Sequence, residues 1–261
     1  MPHLVKVWEE YAPKGLTILA LSDEASGTVE KHMEEHGMTY PIGTGAKGSR
    51  AFGVKGIPAA FLIDHTGTIV WQGHPGNAGW EDMLDGALEK AALMADQWTI
   101  PSPPAVLKKA AALAQKGEMG KAWKESENLL KRFVEDPLKL AEVRTFQENF
   151  GVRVKAQNDY IATFGGDGCY QEAANYVGDR IKVYKGSPAA DEWTAMLKTW
   201  SKDAEIKSLM KLDKKRLDAM EKAFAGDADK AKKSLRALMK KAKGTRIEAA
   251  MEKAYDLVSG L

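Results

Sequence analysis

The chain has 261 residues, 38 Lys+Arg against 36 Asp+Glu, and 44% hydrophobic residues, a composition with room for two packed cores. No run approaches the roughly 18 apolar residues that a membrane-spanning helix requires, and no basic patch followed by an apolar stretch opens the sequence, so neither a span nor an address is read from it. A single cysteine, Cys169, excludes an intramolecular disulfide framework, a cysteine-rich zinc site and an internal dithiol couple. Leu4, Val5, Trp8 and Tyr11 fall on one helical face, and Lys14-Gly15 gives a stop before the next element. Leu16 to Leu21 is a nearly continuous apolar run with β-branched members, which predicts a strand covered on both faces, followed by the cap-prone Ser22-Asp23. Val29 to His36 predicts a helix closed by Gly37. Ala59 to Asp64 and Thr68 to Gln72 predict two strands paired antiparallel through His65-Thr66-Gly67. Trp80 to Met94 predicts a helix with an apolar stripe, so the expected order is α-β-α-β-β-α.

Ile100-Pro-Ser-Pro-Pro104 is the clearest break, with three prolines in four residues that suit an extended connector. Everything beyond it is helical in pattern. Gly117-Glu118 precedes Ala122, Ser126, Leu129, Leu130 and Phe133, and Gly226-Asp227 precedes Ala231, Leu235, Leu238, Met239 and Ala242, with the same offsets in both stripes. That recurrence predicts a helical-repeat-like region similar in layout to tetratricopeptide hairpins, without their strict consensus. The expected organisation is an α/β domain over residues 1–98, a Pro-rich linker over 99–104 and an all-helical domain over 105–261.

Met1 to Tyr11, Leu16 to Ser22, Tyr40-Pro41, Gly56-Ile-Pro-Ala-Ala-Phe-Leu-Ile-Asp64 and Gly67-Thr-Ile-Val-Trp-Gln-Gly-His-Pro75 together resemble the TlpA-like thiol-disulfide oxidoreductases of the thioredoxin superfamily. The resemblance covers about residues 1 to 95. It implies a thioredoxin-like α/β fold in which Pro58 is the cis-proline beside the active site and the Ile57 backbone pairs with an extended substrate, so Ile57 and Pro58 are the expected substrate-binding residues. The family's two cysteines lie at the N-terminus of the helix that corresponds to Pro2–Tyr11, where the helix terminus favours a thiolate. The resemblance puts them just before Met1, itself matched to an internal methionine, together with a central strand that would run between Leu16–Leu21 and Ala59–Asp64. The expectation is therefore an N-terminally truncated domain whose reading frame extends upstream, with no catalytic residue and no cofactor in this chain. Protein thiols and disulfides are the partners that the resemblance implies, and an exported or periplasmic location follows from it in the same way.

Other motifs receive plainer readings. Gly43-Thr-Gly-Ala-Lys-Gly48 is a formal G-x-G-x-x-G, with Asp64 at about the distance of a ribose-binding acid, but it lacks the preceding strand and the long following helix that nucleotide binding needs. His32-Met-Glu-Glu-His36 fits H-x-x-E-H. It reads as a solvated helix face without a third ligand, and no metal is expected. His74 reads as a structural or surface residue, and Cys169 as a buried small hydrophobe. Residues 201–261 carry 16 Lys/Arg against 10 Asp/Glu. Acidic residues interleave them and Phe224 is the single aromatic ring between Lys202 and Lys243, so a solvated surface is expected and nucleic acid is not, although an acidic protein partner would fit.

Two functions follow. The first is a thioredoxin-like protein related to thiol-disulfide oxidoreductases, inactive in dithiol exchange because this chain has no Cys-x-x-Cys, with the helices as a partner-binding module. The second is a non-catalytic scaffold that binds a protein through its C-terminal helices.

Overall fold

A computed structural model describes residues 2–45 and 52–260. The chain divides into two compact units, residues 1–92 and 93–261. The first is α/β: α1 (Pro2–Tyr11), β1 (Ala20–Leu21), α2 (Ser26–His36), β2 (Ile42–Gly43), β3 (Ala60–Ile63), β4 (Ile69–Gly73) and α3 (Leu84–Met94), whose last residues belong to the second unit. Of the apolar run Leu16–Leu21, only the last two residues form strand, and they pair in parallel with β2, an element that the sequence pattern does not announce. Leu19 and Leu21 are 66% and 57% exposed, so the run is not covered on both faces as its composition predicts. The reason is local: among the described residues β1 has β2 as its one strand neighbour, and the ladder β1–β2 is separate from the ladder β3–β4.

The hairpin forms in the expected sense, with Ala60 opposite Gly73 and Leu62 opposite Trp71 and an irregularity between Leu62 and Ile63. Asp64 organises its turn, accepting from Thr66 N (2.9 Å), Thr66 Oγ1 (2.6 Å) and Thr68 N (3.0 Å). Burial alone would raise the Asp64 carboxyl, but the bonds from the Thr66 hydroxyl and from the Thr68 and Thr66 amides outweigh it and hold the carboxyl below its usual range. Its contribution to stability is thus complete above the ordinary carboxylate pKa of about 3.9 and is lost as pH falls through the lower folded value. Asp64→Ala should cost about 1 kcal/mol in thermal or urea unfolding of the α/β unit, with the deficit shrinking below pH 4.

The small core of this unit is Val7, Trp80 and Leu84, with Leu4, Tyr11, Leu16, Leu62, Trp71 and Leu88 packed against them. The buried stripe of α1 is therefore Leu4, Val7 and Tyr11, while Trp8 turns to Tyr40 in an edge contact at 6.4 Å. Gly37 closes α2 in the left-handed region at φ 62°, as expected, but Ser22-Asp23 is not its cap; the helix starts at Ser26 after Ala25.

The second unit is all helical: α4 (Lys108–Gln115), α5 (Met119–Arg132), α6 (Pro137–Gly166), α7 (Tyr170–Val183), α8 (Pro188–Trp200), α9 (Ala204–Phe224), α10 (Ala228–Ala242) and α11 (Glu248–Ser259). Asp136 and Asp203 cap α6 and α9, accepting from Lys139 N (3.1 Å) and Ile206 N (2.8 Å). The two stripes with equal offsets are both buried: Ala122, Ser126 and Leu129 face one interior, and Ala231, Leu235, Leu238 and Ala242 another. The first interior is built around Trp193, Tyr184, Phe146 and Phe150, the second around Leu235, Ile247 and Met251.

Three turns between helices share one construction. Gly117, Gly168 and Gly226 have φ of 78°, 72° and 100°, and the next residue's amide reaches back five positions, from Glu118 to Leu113 O (3.0 Å), Cys169 to Phe164 O (2.8 Å) and Asp227 to Lys222 O (2.9 Å). The sequence reveals two of them through the Gly-acidic pair; the third is hidden because a cysteine stands where the others have an acid. The Pro-rich segment is not a free connector at its leading edge. Trp98 stacks on Phe146 (4.9 Å, 23°), Trp98 N donates to Ala114 O (3.0 Å) and Ile100 packs on the first helical interior. Arg153 Nη2 and Gln157 Nε2 in α6 donate to Ala95 O (2.6 Å) and Leu93 O (3.1 Å), and Arg180 in α7 pairs with Asp96. These bonds make residues 93–100 part of the helical unit.

Candidate functional site

Ile57 and Pro58 lie in the segment that leads into β3, which starts two residues later at Ala60. The Ile57–Pro58 peptide bond is cis. Both residues are exposed, Ile57 at 83%, which is unusual for a large aliphatic residue beside a strand. Phe52, 48% exposed, meets Phe61 of β3 at 5.4 Å. The segment therefore offers apolar side chains to solvent.

The first turn of α1 is tied to the segment after β4. His3 Nε2 lies 3.0 Å from Glu81 Oε1, and the His3 ring meets Trp80 edge-on at 6.2 Å. Trp80 in turn donates from Nε1 to Pro75 O (3.2 Å) and lies 6.1 Å from Trp71. The sequence pattern singles out neither His3 nor Glu81, since they stand 78 positions apart. His74 is occupied by its own turn, its Nδ1 accepting from Gly76 N at 3.0 Å. Of the G-x-G-x-x-G motif, Ala46, Lys47 and Gly48 lie outside the described residues; Gly43 pairs with Leu21 in the short parallel ladder.

On α2 the rings of His32 and His36 are 4.1 Å apart, and the Glu35 carboxylate joins them as a third donor, with one ligand atom of each residue within 4.8 Å of the others. All three are exposed. Cys169 is buried, with its Sγ 3.7 Å from Asp167 O. Burial pushes its thiol up to about 12; Arg216 pulls the other way, and Asp213 and Glu172 reinforce the rise. The thiolate is the reactive form, so Cys169 should resist iodoacetamide at pH 8 in the folded chain and react within minutes in 6 M guanidinium, read by intact mass.

Around Cys169 stands a buried ionic cluster. Asp213 of α9 is fully buried, and its Oδ2 accepts from Glu172 N (2.8 Å), so it caps α7 from another helix. Arg216 donates from Nε to Asp213 Oδ1 (2.9 Å) and pairs with Glu172 through Nη2. Arg216 already supplies the positive charge that this acid pair requires.

The comparisons bear on the α/β unit. Residues 1–72 match the family model described as the AhpC/TSA family. The chain is similar to the thiol-disulfide oxidoreductase ResA of Halalkalibacterium halodurans, 33% identical over 73 residues, which cover 27% of this chain and 42% of that protein. It is 33% identical over 75 residues to ResA of Bacillus thuringiensis strain Al Hakam (28% and 43% covered) and 35% identical over 72 residues to ResA of Geobacillus thermodenitrificans (26% and 41% covered). The chain thus spans less than half the length of these curated relatives. No solved structure matches it. No described helix is long and apolar enough to cross a membrane. Residues 1–72 of this chain therefore form a redoxin segment of the thioredoxin superfamily, related to thiol-disulfide oxidoreductases and followed by an all-helical unit.

Proposed function

We propose that the α/β unit is a docking element for protein thiols and disulfides that does not carry out dithiol exchange by itself. The observation that carries this reading is the redoxin match over residues 1–72 in a chain whose one cysteine is buried and held as a thiol. Two-thiol exchange proceeds through a mixed disulfide that a second thiolate resolves, and Cys169 has no such partner in the sequence. The substrate contact is the exposed Ile57–Pro58 segment, where backbone groups ahead of β3 pair with an extended chain. This chain should give no reduction of insulin disulfides by dithiothreitol above the uncatalysed rate; turnover that disappears in Cys169→Ser would overturn the reading. Docking is tested separately by hydrogen exchange with reduced, alkylated lactalbumin: the Ile57, Ala59 and Ala60 amides slow if they pair with it, and unchanged exchange removes the contact.

A second reading is a protein-binding helical module with a structural α/β unit. It is favoured by Val134 and Leu138, 67% and 82% exposed at the turn from α5 into α6. Binding of a partner that is abolished by Val134→Asp with Leu138→Asp, and indifferent to Ile57→Asp, would select it.

A further inference from the structure

We propose that His32, His36 and Glu35 form a chelating site for a borderline divalent transition-metal ion, taken up as Cu2+ in preference to Ni2+ or Zn2+, on the exposed C-terminal half of α2. Residues four apart on a helix stand one above the other, so His32 and His36 point their rings the same way. The rings are 4.1 Å apart with planes tilted by 31°, and the Glu35 carboxylate lies within the same 4.8 Å circle of donor atoms. Metal–imidazole bonds of about 2.0–2.1 Å place neighbouring donors roughly 3 Å apart, so small side-chain rotations close the set around an ion without moving the backbone.

Three further features favour a cation here. His36 is the last residue of α2, where the carbonyl ends of the helix carry partial negative charge, and Gly37 ends the helix with amides turned back to Glu34 O and Met33 O. Glu30 and Glu34 add negative charge on the same helix. Lys31 lies 3.8 Å from Glu35 in an exposed pair of little energetic weight, which a metal ion displaces at small cost. Two imidazoles select Cu2+, Ni2+ and Zn2+ over Mg2+ and Ca2+, and the usual order of divalent affinities puts Cu2+ first. Because Glu35 is drawn into the ligand set and the site faces solvent, the remaining positions are filled by water; the arrangement is a surface chelate distinct from the Ile57–Pro58 segment.

The test is calorimetric titration of the full chain with CuSO4, NiSO4, ZnSO4 and MgSO4 in a non-coordinating buffer, in a His3→Gln background that removes a rival ligand near the start of the sequence. One Cu2+ per chain is expected, with nitrogen coupling from two imidazoles in the electron paramagnetic resonance spectrum. His32→Gln and His36→Gln should each weaken Cu2+ binding at least tenfold and leave coupling from one imidazole, Glu35→Gln should weaken it several-fold, and His74→Gln should change it less than twofold. All four positions are exposed, and far-UV circular dichroism checks that the helices persist. Cu2+ affinity unchanged in both His32→Gln and His36→Gln, or Mg2+ bound as tightly as Cu2+, would overturn the proposal.

Discussion

Asp213→Ala is expected to destabilise the helical unit by about 3–5 kcal/mol, because it leaves the guanidinium of Arg216 buried without its main partner. The Arg216 side chain is 8% exposed, and Asp213 supplies an acceptor both to it and to the otherwise unmatched Glu172 amide in the first turn of α7. The substitution therefore strands a charge and uncaps a helix together, while the remaining pair to Glu172 uses a carboxylate that is 41% exposed. Replacing both members, Asp213→Leu with Arg216→Met, removes the desolvated charges along with their attraction and should recover much of the loss. Urea unfolding followed at 222 nm reports mainly on the helices and reads both values. A loss below about 1 kcal/mol for Asp213→Ala would mean that water or Glu172 alone satisfies Arg216.

Gly120→Ala should cost about 3 kcal/mol in the same assay, the upper end of ordinary overpacking effects. Helix propensity alone argues the opposite sign, since Ala is favoured over Gly by roughly 1 kcal/mol inside a helix. The clash decides. A Cβ on Gly120 would stand 2.1 Å from Lys185 O and 2.7 Å from Tyr184 C, backbone atoms that cannot rotate away. Gly151 in α6 and Gly178 in α7 have nothing within 4 Å of an added Cβ, so their replacement by Ala should stabilise by about 0.5–1 kcal/mol. The same chemical change at three helical glycines thus isolates the close approach of α5 to the end of α7 as the source of the penalty.

The local elements were largely written in the residue pattern. Period and punctuation place α1, α2, the β3–β4 hairpin and α3, because each depends on neighbours within a few positions: Asp64, Thr66 and Gly67 make their own turn, and Gly37 ends its own helix. The equal stripes at Ala122–Phe133 and Ala231–Ala242 likewise show which helix faces are buried. The resemblance over about residues 1–95 points to the redoxin relationship, which the AhpC/TSA match supports over residues 1–72 and the ResA relatives over a similar length.

What composition could not determine was how much of a strand-like run finds a partner. Leu16–Leu21 has strand residues throughout, yet pairing is a property of two segments, and only Ala20 and Leu21 meet Ile42 and Gly43. Charge clusters are hidden for the same reason: Glu172 of α7 stands more than 40 positions from Asp213 and Arg216 of α9, and periodicity carries no information about which helices touch. The sequence pattern sets the break at the prolines of 99–104 and leaves 93–98 with the α/β domain, whereas Trp98, Arg153 and Gln157 draw 93–98 onto the helices through contacts that only the folded chain brings together. Sequence thus determined each element from its own neighbours; tertiary structure decided burial, charge pairing and the unit to which each segment belongs, because those free energies arise between residues distant in the chain.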